Sequence, residues 1–190
     1  MAISRLTQTT LQNAFQKFNT VWDGTSAVGS MDALGVVVVP SAGAASISFS
    51  SIPATYTHLQ LRMTATNGTT YQNTQMQLGA TSLDTGANYA WHQLTGDGAA
   101  AGAASGTSAT FMYVGYTGTT SGAGIIDILD YTSTAKYKTV RALGGADGNG
   151  SGLIHLRSGL WMNTGAISYI TLTNLSTYAA NSSFALYGIK

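Results

Sequence analysis

Every acid in this 190-residue chain is an Asp, seven in all, and beside them stand three His and no Cys. Acid–base or metal chemistry would have to be built from those groups, since zero Cys removes disulfides, thiolate metal sites and thiol nucleophiles together. Asp84-Thr85-Gly86-Ala87, preceded by Leu83, matches the string around the catalytic Asp of retroviral-type aspartic proteases. That chemistry needs two carboxylates sharing one proton, and an apolar strand immediately before the string. Ala80-Thr81-Ser82 stands where the strand is required, so the segment reads as a turn in which Asp84 bonds its own backbone two residues on.

Asp147-Gly148-Asn149-Gly150-Ser151-Gly152 carries oxygen ligands at alternate positions and Gly at the sixth, the first half of a calcium loop. Its twelfth position is Ser158 where a bidentate Glu is needed, and no acid follows Asp147, so a turn between two strands is the expectation. Asp127 and Asp130 are close enough to suggest a glycosidase dyad. At i and i+3 on a strand they point to opposite faces, and they are read as solvating the strand or pairing with Lys136, Lys138 or Arg141 on the next one. His58, His92 and His155 are isolated in sequence and read as polar-face or packed residues, not a zinc set. There is no Gly-x-Ser-x-Gly elbow, phosphate loop or dinucleotide fingerprint, and Gly96-Asp97-Gly98 opens an Ala-Gly loop where a cofactor motif would open a helix. The expectation is a non-enzyme with no catalytic residue, no bound metal and no cofactor.

What remains is contact chemistry. Leu11, Phe15, Phe18 and Trp22 recur at spacings of four, three and four, an apolar stripe on a helix over residues 5–19, which Thr7 or Ser4 would cap and Asp23-Gly24 would close. A helix of that length is marginal alone, so the stripe must pack on something; we read it as a partner-binding attachment face, against the alternative that it plugs one end of the domain that follows. Tyr56, Tyr71, Tyr89, Trp91, Tyr113, Tyr116, Tyr131 and Tyr137 supply aromatic area suited to glycan stacking or to a protein contact, though filling a core is the commoner use of such residues.

The elements that would carry these groups are mostly strands. Residues 1–35 form a helical arm and a linker, with residues 25–34 irregular, and residues 36–190 form one β domain. Leu59, Leu61, Met63 and Ala65 alternate with His58, Gln60, Arg62 and Thr64, a half-buried strand. Further strands are read at 36–39, 46–50, 73–78, 89–95, 110–116, 124–131, 136–143, 153–162, 167–173 and 184–189. Small-residue stretches at 96–108, 117–124 and 144–152 read as loops. No helical period follows residue 35, which rules out a parallel sheet with crossover helices. The fold class is all-β: an antiparallel, jelly-roll-like β-sandwich preceded by the amphipathic helix.

Composition agrees. Only 8% of residues are charged, with a net charge of +1 and no Glu, so the chain is poor in the residues that solvate helix faces and lacks the basic clusters that neutralise phosphates. Nucleic acid is excluded as a partner, and with no apolar run near 18 residues so is a membrane. The N-terminus lacks the apolar centre of a signal peptide, placing the chain in the cytosol or in an assembly built there. So little charge on a surface this size implies cover by other copies of the chain.

Several stretches resemble a family of small virion structural proteins of tailed bacteriophages, particularly phages of aquatic bacteria. They are SRLTQTTLQNAFQKFNTVWDG at 4–24, SSIPATYTHLQLRMTA at 50–65, GIIDILDYTSTAKYKTVRALGG at 124–145, SGLWMNTGAISYITLTN at 158–174 and SSFALYGIK at 182–190. The resemblance implies a virion protein made in the host cytoplasm, most simply a capsid decoration or cement protein that docks on the major capsid protein or a neighbouring subunit. It implies a homotrimer, and it brings no catalytic residues. The alternative within the family is a tail or head fibre, a receptor-binding protein contacting host surface glycans.

Overall fold

The computed structural model describes residues 30–68 and 71–190. The expected N-terminal helix, with Leu11, Phe15, Phe18 and Trp22, lies outside the described residues. Twelve strands run through the described part: β1 (Met31–Val38), β2 (Ala44–Phe49), β3 (His58–Ala65), β4 (Gln72–Gly79), β5 (Tyr89–Gly96), β6 (Ala101–Ala109), β7 (Met112–Thr117), β8 (Gly122–Leu129), β9 (Lys138–Asp147), β10 (Gly152–Trp161), β11 (Tyr169–Tyr178) and β12 (Ser183–Ile189). All pair antiparallel, in an eight-stranded sheet ordered β1-β12-β3-β8-β9-β10-β5-β6 and a four-stranded sheet ordered β2-β11-β4-β7.

The pairing is nested. First strand lies on last and second on penultimate, in opposite sheets, while β3–β8 and β4–β7 repeat the pattern one layer in. Two hairpins interrupt this nest, β5–β6 between β4 and β7 and β9–β10 between β8 and β11, and together they extend the first sheet beyond the second. The sheets close over one core, to which Leu59, Leu61, Ile126, Ile128, Phe184 and Leu186 come from the large sheet and Met76, Leu78, Met112, Val114, Ile170 and Leu172 from the small one. Each such side chain contributes about 1.5–3 kcal/mol by leaving water, and the period-2 alternation of β3 and β12 is what delivers them to one face.

Three expectations change. Residues 101–109 form a strand where the composition suggested a loop, because hairpin pairing with β5 orders a segment whose own residues carry almost no strand preference. β1 begins at Met31, inside the stretch read as irregular, held by its register with β12. β9 runs on through Gly144 and Gly145 to Asp147, so the glycines that suggested a loop are strand residues. A Cβ on Gly145 would stand 2.5 Å from the carbonyl oxygen of Leu153 on the neighbouring strand, which explains glycine there.

The turns that looked like chemistry are turns. Asn149 and Gly150 have φ of 56° and 104°, and the amide of Gly148 donates to the carbonyl of Ser151 at 2.6 Å, so Asn-Gly makes the tight β9–β10 hairpin connection that requires two left-handed residues. Asp147 accepts from the amide of Asn149 at 3.0 Å.

Candidate interaction surface

The outer face of the eight-stranded sheet carries an apolar row running across the strands. Ile125 on β8 lies opposite Leu143 on β9, Leu143 opposite Leu156 on β10, and Leu156 opposite Leu94 on β5, where the row continues to Ala103 on β6. These four large side chains are 45–56% exposed, and Ile154, two residues along β10 on the same face, reaches 63%. Adjacent strands stand about 4.8 Å apart, so the row is a continuous ridge.

Toward the hairpin ends the same face falls away, because Ala123, Gly145, Ile154 and Gly96 follow one another across the strands and three of the four are small. The result is an open cleft of about 920 Å³, with Leu143 and Ile154 on its apolar side and the β5–β6 and β9–β10 turns as walls. On the other side of the ridge runs a polar row, Gln60, Asp127, Arg141, Ser158 and His92. Gln60 donates from Nε2 to Asp127 at 2.8 Å and accepts from Arg62 Nε at 2.9 Å. An apolar strip with a polar border and a depression beside it is the anatomy of a protein-contact surface.

Beneath this face the large sheet overhangs the small one, and buried polar groups fill the step. Arg157, 2% exposed, reaches from β10 to the carbonyl of Gly115 on β7 at 2.8 Å and to Asn73 Oδ1 on β4 at 2.5 Å, with its guanidinium 5.6 Å from the Tyr113 ring centre. Trp91 meets Tyr113 edge-on at 4.7 Å, and Phe111 extends that half-buried group. His155 is buried beside Arg157 with neither ring nitrogen hydrogen-bonded; burial first and the Arg157 charge second push it down to about 3, so it is neutral at any physiological pH. Lys138 is also fully buried, its Nζ donating to the carbonyls of Ser133, Lys136 and Thr164, and burial lowers its pKa.

The residues singled out by sequence are dispersed. Asp84 accepts from the amide of Gly86 at 2.9 Å, from Asn88, and from Trp161 Nε1 at 2.8 Å. Burial works to raise its pKa, and those hydrogen bonds outweigh it and hold the carboxyl below the usual range: a loop anchor with no second carboxylate beside it among the described contacts. Asp130 pairs with Lys136 and lies 3.4 Å from His58 Nδ1, whereas Lys138 turns inward and Asp127 takes its hydrogen bond from Gln60. Among the described residues no three His, Asp or Glu side chains converge as metal ligands. Tyr89, Tyr131 and Tyr178 fill the core; Tyr56, Tyr71, Tyr113 and Tyr116 are half-buried, and Tyr137 is exposed.

Sequence reasoning missed the outer ridge. Its signal was present as apolar doublets, Ile125-Ile126 and Ile128-Leu129, in which alternation sends one member of each pair outward. Comparison with models of protein families, with curated proteins and with solved structures finds no match for this chain.

Proposed function

We propose that this chain is a non-enzymatic structural protein of a bacteriophage particle, a capsid decoration or cement protein. It attaches through Leu11, Phe15, Phe18 and Trp22 to the major capsid protein or a neighbouring subunit, works as a homo-oligomer, and takes neither nucleic acid nor membrane. The observation that carries the reading is the outer ridge: Ile125, Leu143, Leu156 and Leu94 in register, with a polar row on one side and a small-residue cleft on the other. Two further features support it. The five family-like stretches span the chain from end to end. The nested order, β1-β12-β3-β8 over β2-β11-β4-β7 with two added hairpins, is compatible with the double Greek key of a jelly roll, an architecture used in viral shells.

The test is occupancy on the particle. Heads assembled without the protein should bind it back at a fixed stoichiometry and recover resistance to heat and osmotic shock. Unchanged head stability together with lost infection would replace this reading with the second one, a fibre contacting host glycans. That second reading is favoured by the half-buried Trp91–Tyr113–Phe111 group on the overhang, where rings are available for stacking.

A further inference from the structure

Among the described residues the eight-stranded sheet ends on β6, and none of them covers this edge. Residues 101–106, Ala-Gly-Ala-Ala-Ser-Gly, contain no charge and no Pro, and the register with β5 is regular until an irregularity between Tyr89 and Trp91. Every one of them is exposed except Gly106, so the strand presents both faces and one edge to solvent. Ala, Gly and Ser are poor strand formers, and side chains this small recover little by packing. Such an edge, with a row of unpaired N–H and C=O groups, normally carries lysines, a proline or a covering loop. The opposite edge is guarded: β1 has a register irregularity between Ala33 and Gly35, and Asp32 is ion-paired to Lys190 at 2.9 Å.

We propose that residues 101–106 pair antiparallel with the same residues of a second copy about a two-fold axis, joining two eight-stranded sheets edge to edge. The hairpin geometry sets which groups are free. The amide of Asp97 donates to the carbonyl of Ala100, and alternation from that pair turns the peptide groups of Ala101, Ala103 and Ser105 away from β5. A two-fold axis at Ala103 matches Ala101 of each copy with Ser105 of the other, so every free donor meets a free acceptor. Charge permits it: the nearest charged residue is Asp97 at the turn, and antiparallel pairing carries the two Asp97 side chains to opposite ends of the junction. The apolar ridge, which reaches β6 at Ala103, then runs on across the axis from Leu94 of one copy to Leu94 of the other. The inference is independent of the proposed role on the particle, and it gives a two-fold contact where the family resemblance implies a trimer.

The full chain, which contains no Cys, tests this directly. A dimer is expected by sedimentation equilibrium at micromolar concentration. Ala103→Pro, which removes an N–H that β5 does not use, should shift it to monomer with unchanged far-ultraviolet circular dichroism. Because a proline could also disturb the hairpin, Ala103→Cys in the otherwise unaltered chain gives the second measurement: Cα atoms about 5.5 Å apart across a hydrogen-bonded pair allow a disulfide, so mild oxidation should yield a covalent dimer, while exposed Thr139→Cys should not. A wild-type monomer, a trimer or open-ended polymer that survives Ala103→Pro, or failure of the Ala103→Cys variant to cross-link would each overturn the proposal.

Discussion

Arg157 donates from Nη1 to the carbonyl of Gly115 at 2.8 Å, tying the middle of the eight-stranded sheet to the edge strand of the four-stranded one. The same guanidinium holds Asn73 Oδ1, so one side chain satisfies acceptors on β7 and on β4. Arg157→Ala leaves both acceptors without this donor and removes the packing on Tyr113. We expect a loss of about 2–4 kcal/mol in urea unfolding, with Arg157→Lys recovering part of it because an ammonium can still reach one of the two. An Ala variant within about 0.5 kcal/mol of wild type, the range of neutral surface changes, would show that water replaces the guanidinium there.

His155 predicts a pH dependence. Its ordinary value is 6.5 and in the fold it is held down to about 3, so between those values the unfolded chain binds one proton more than the folded one. The stability associated with neutral His155 is therefore complete above about pH 6.5 and is lost progressively as the pH falls toward 3. At pH 5 the loss amounts to about 1–2 kcal/mol. His155→Leu, which cannot take up that proton, should reduce by this amount the fall in unfolding free energy between about pH 7 and pH 5; an identical fall in the variant would place the proton elsewhere.

Strand β10 shows where the sequence is legible and where it is not. In Leu153-Ile154-His155-Leu156-Arg157 the apolar pattern alone would send Ile154 and Leu156 inward and His155 and Arg157 to solvent. The opposite holds: Ile154 and Leu156 lie about half exposed, and His155 and Arg157 are buried. Trp161, fully buried at the end of the strand, fixes which face is inward, and the carbonyl of Gly115 gives Arg157 a partner that no local pattern announces. By contrast β3 alternates cleanly and was readable, since both of its faces obey the usual rule. β6 was unreadable for the reverse reason: its residues have no pattern, and only pairing with β5 makes them a strand.

Gly122 opens β8 directly under the end of β7, and a Cβ there would stand 2.0 Å from the carbonyl oxygen of Tyr116. Backbone, not a movable side chain, occupies the space. Gly122→Ala is expected to cost about 2 kcal/mol or more and to lower the thermal midpoint accordingly. Gly150→Ala, at a turn position with φ of 104° and open space around it, tests strain alone, and should cost less than Gly122→Ala in the same assay.

The last prediction separates attachment from folding. Leu143 and Leu156 are half exposed on the outer ridge, so replacing both by Glu removes little that the isolated domain buries; the change in unfolding free energy should stay within about 1 kcal/mol. If the ridge is a contact surface, two desolvated carboxylates in its centre cost far more in the assembly than in the free chain, and incorporation into particles should fall by roughly tenfold or more. Deleting residues 1–24 asks the same question of Leu11, Phe15, Phe18 and Trp22. As an attachment face they are dispensable for the β domain, whose first described strand starts at Met31, and the truncated chain should keep a single cooperative thermal transition while failing to incorporate. Loss of that transition would mean that the stripe completes the fold of the domain. In that event the ridge alone would carry attachment, and the double Glu variant would still distinguish a chain that reaches the particle from one that does not.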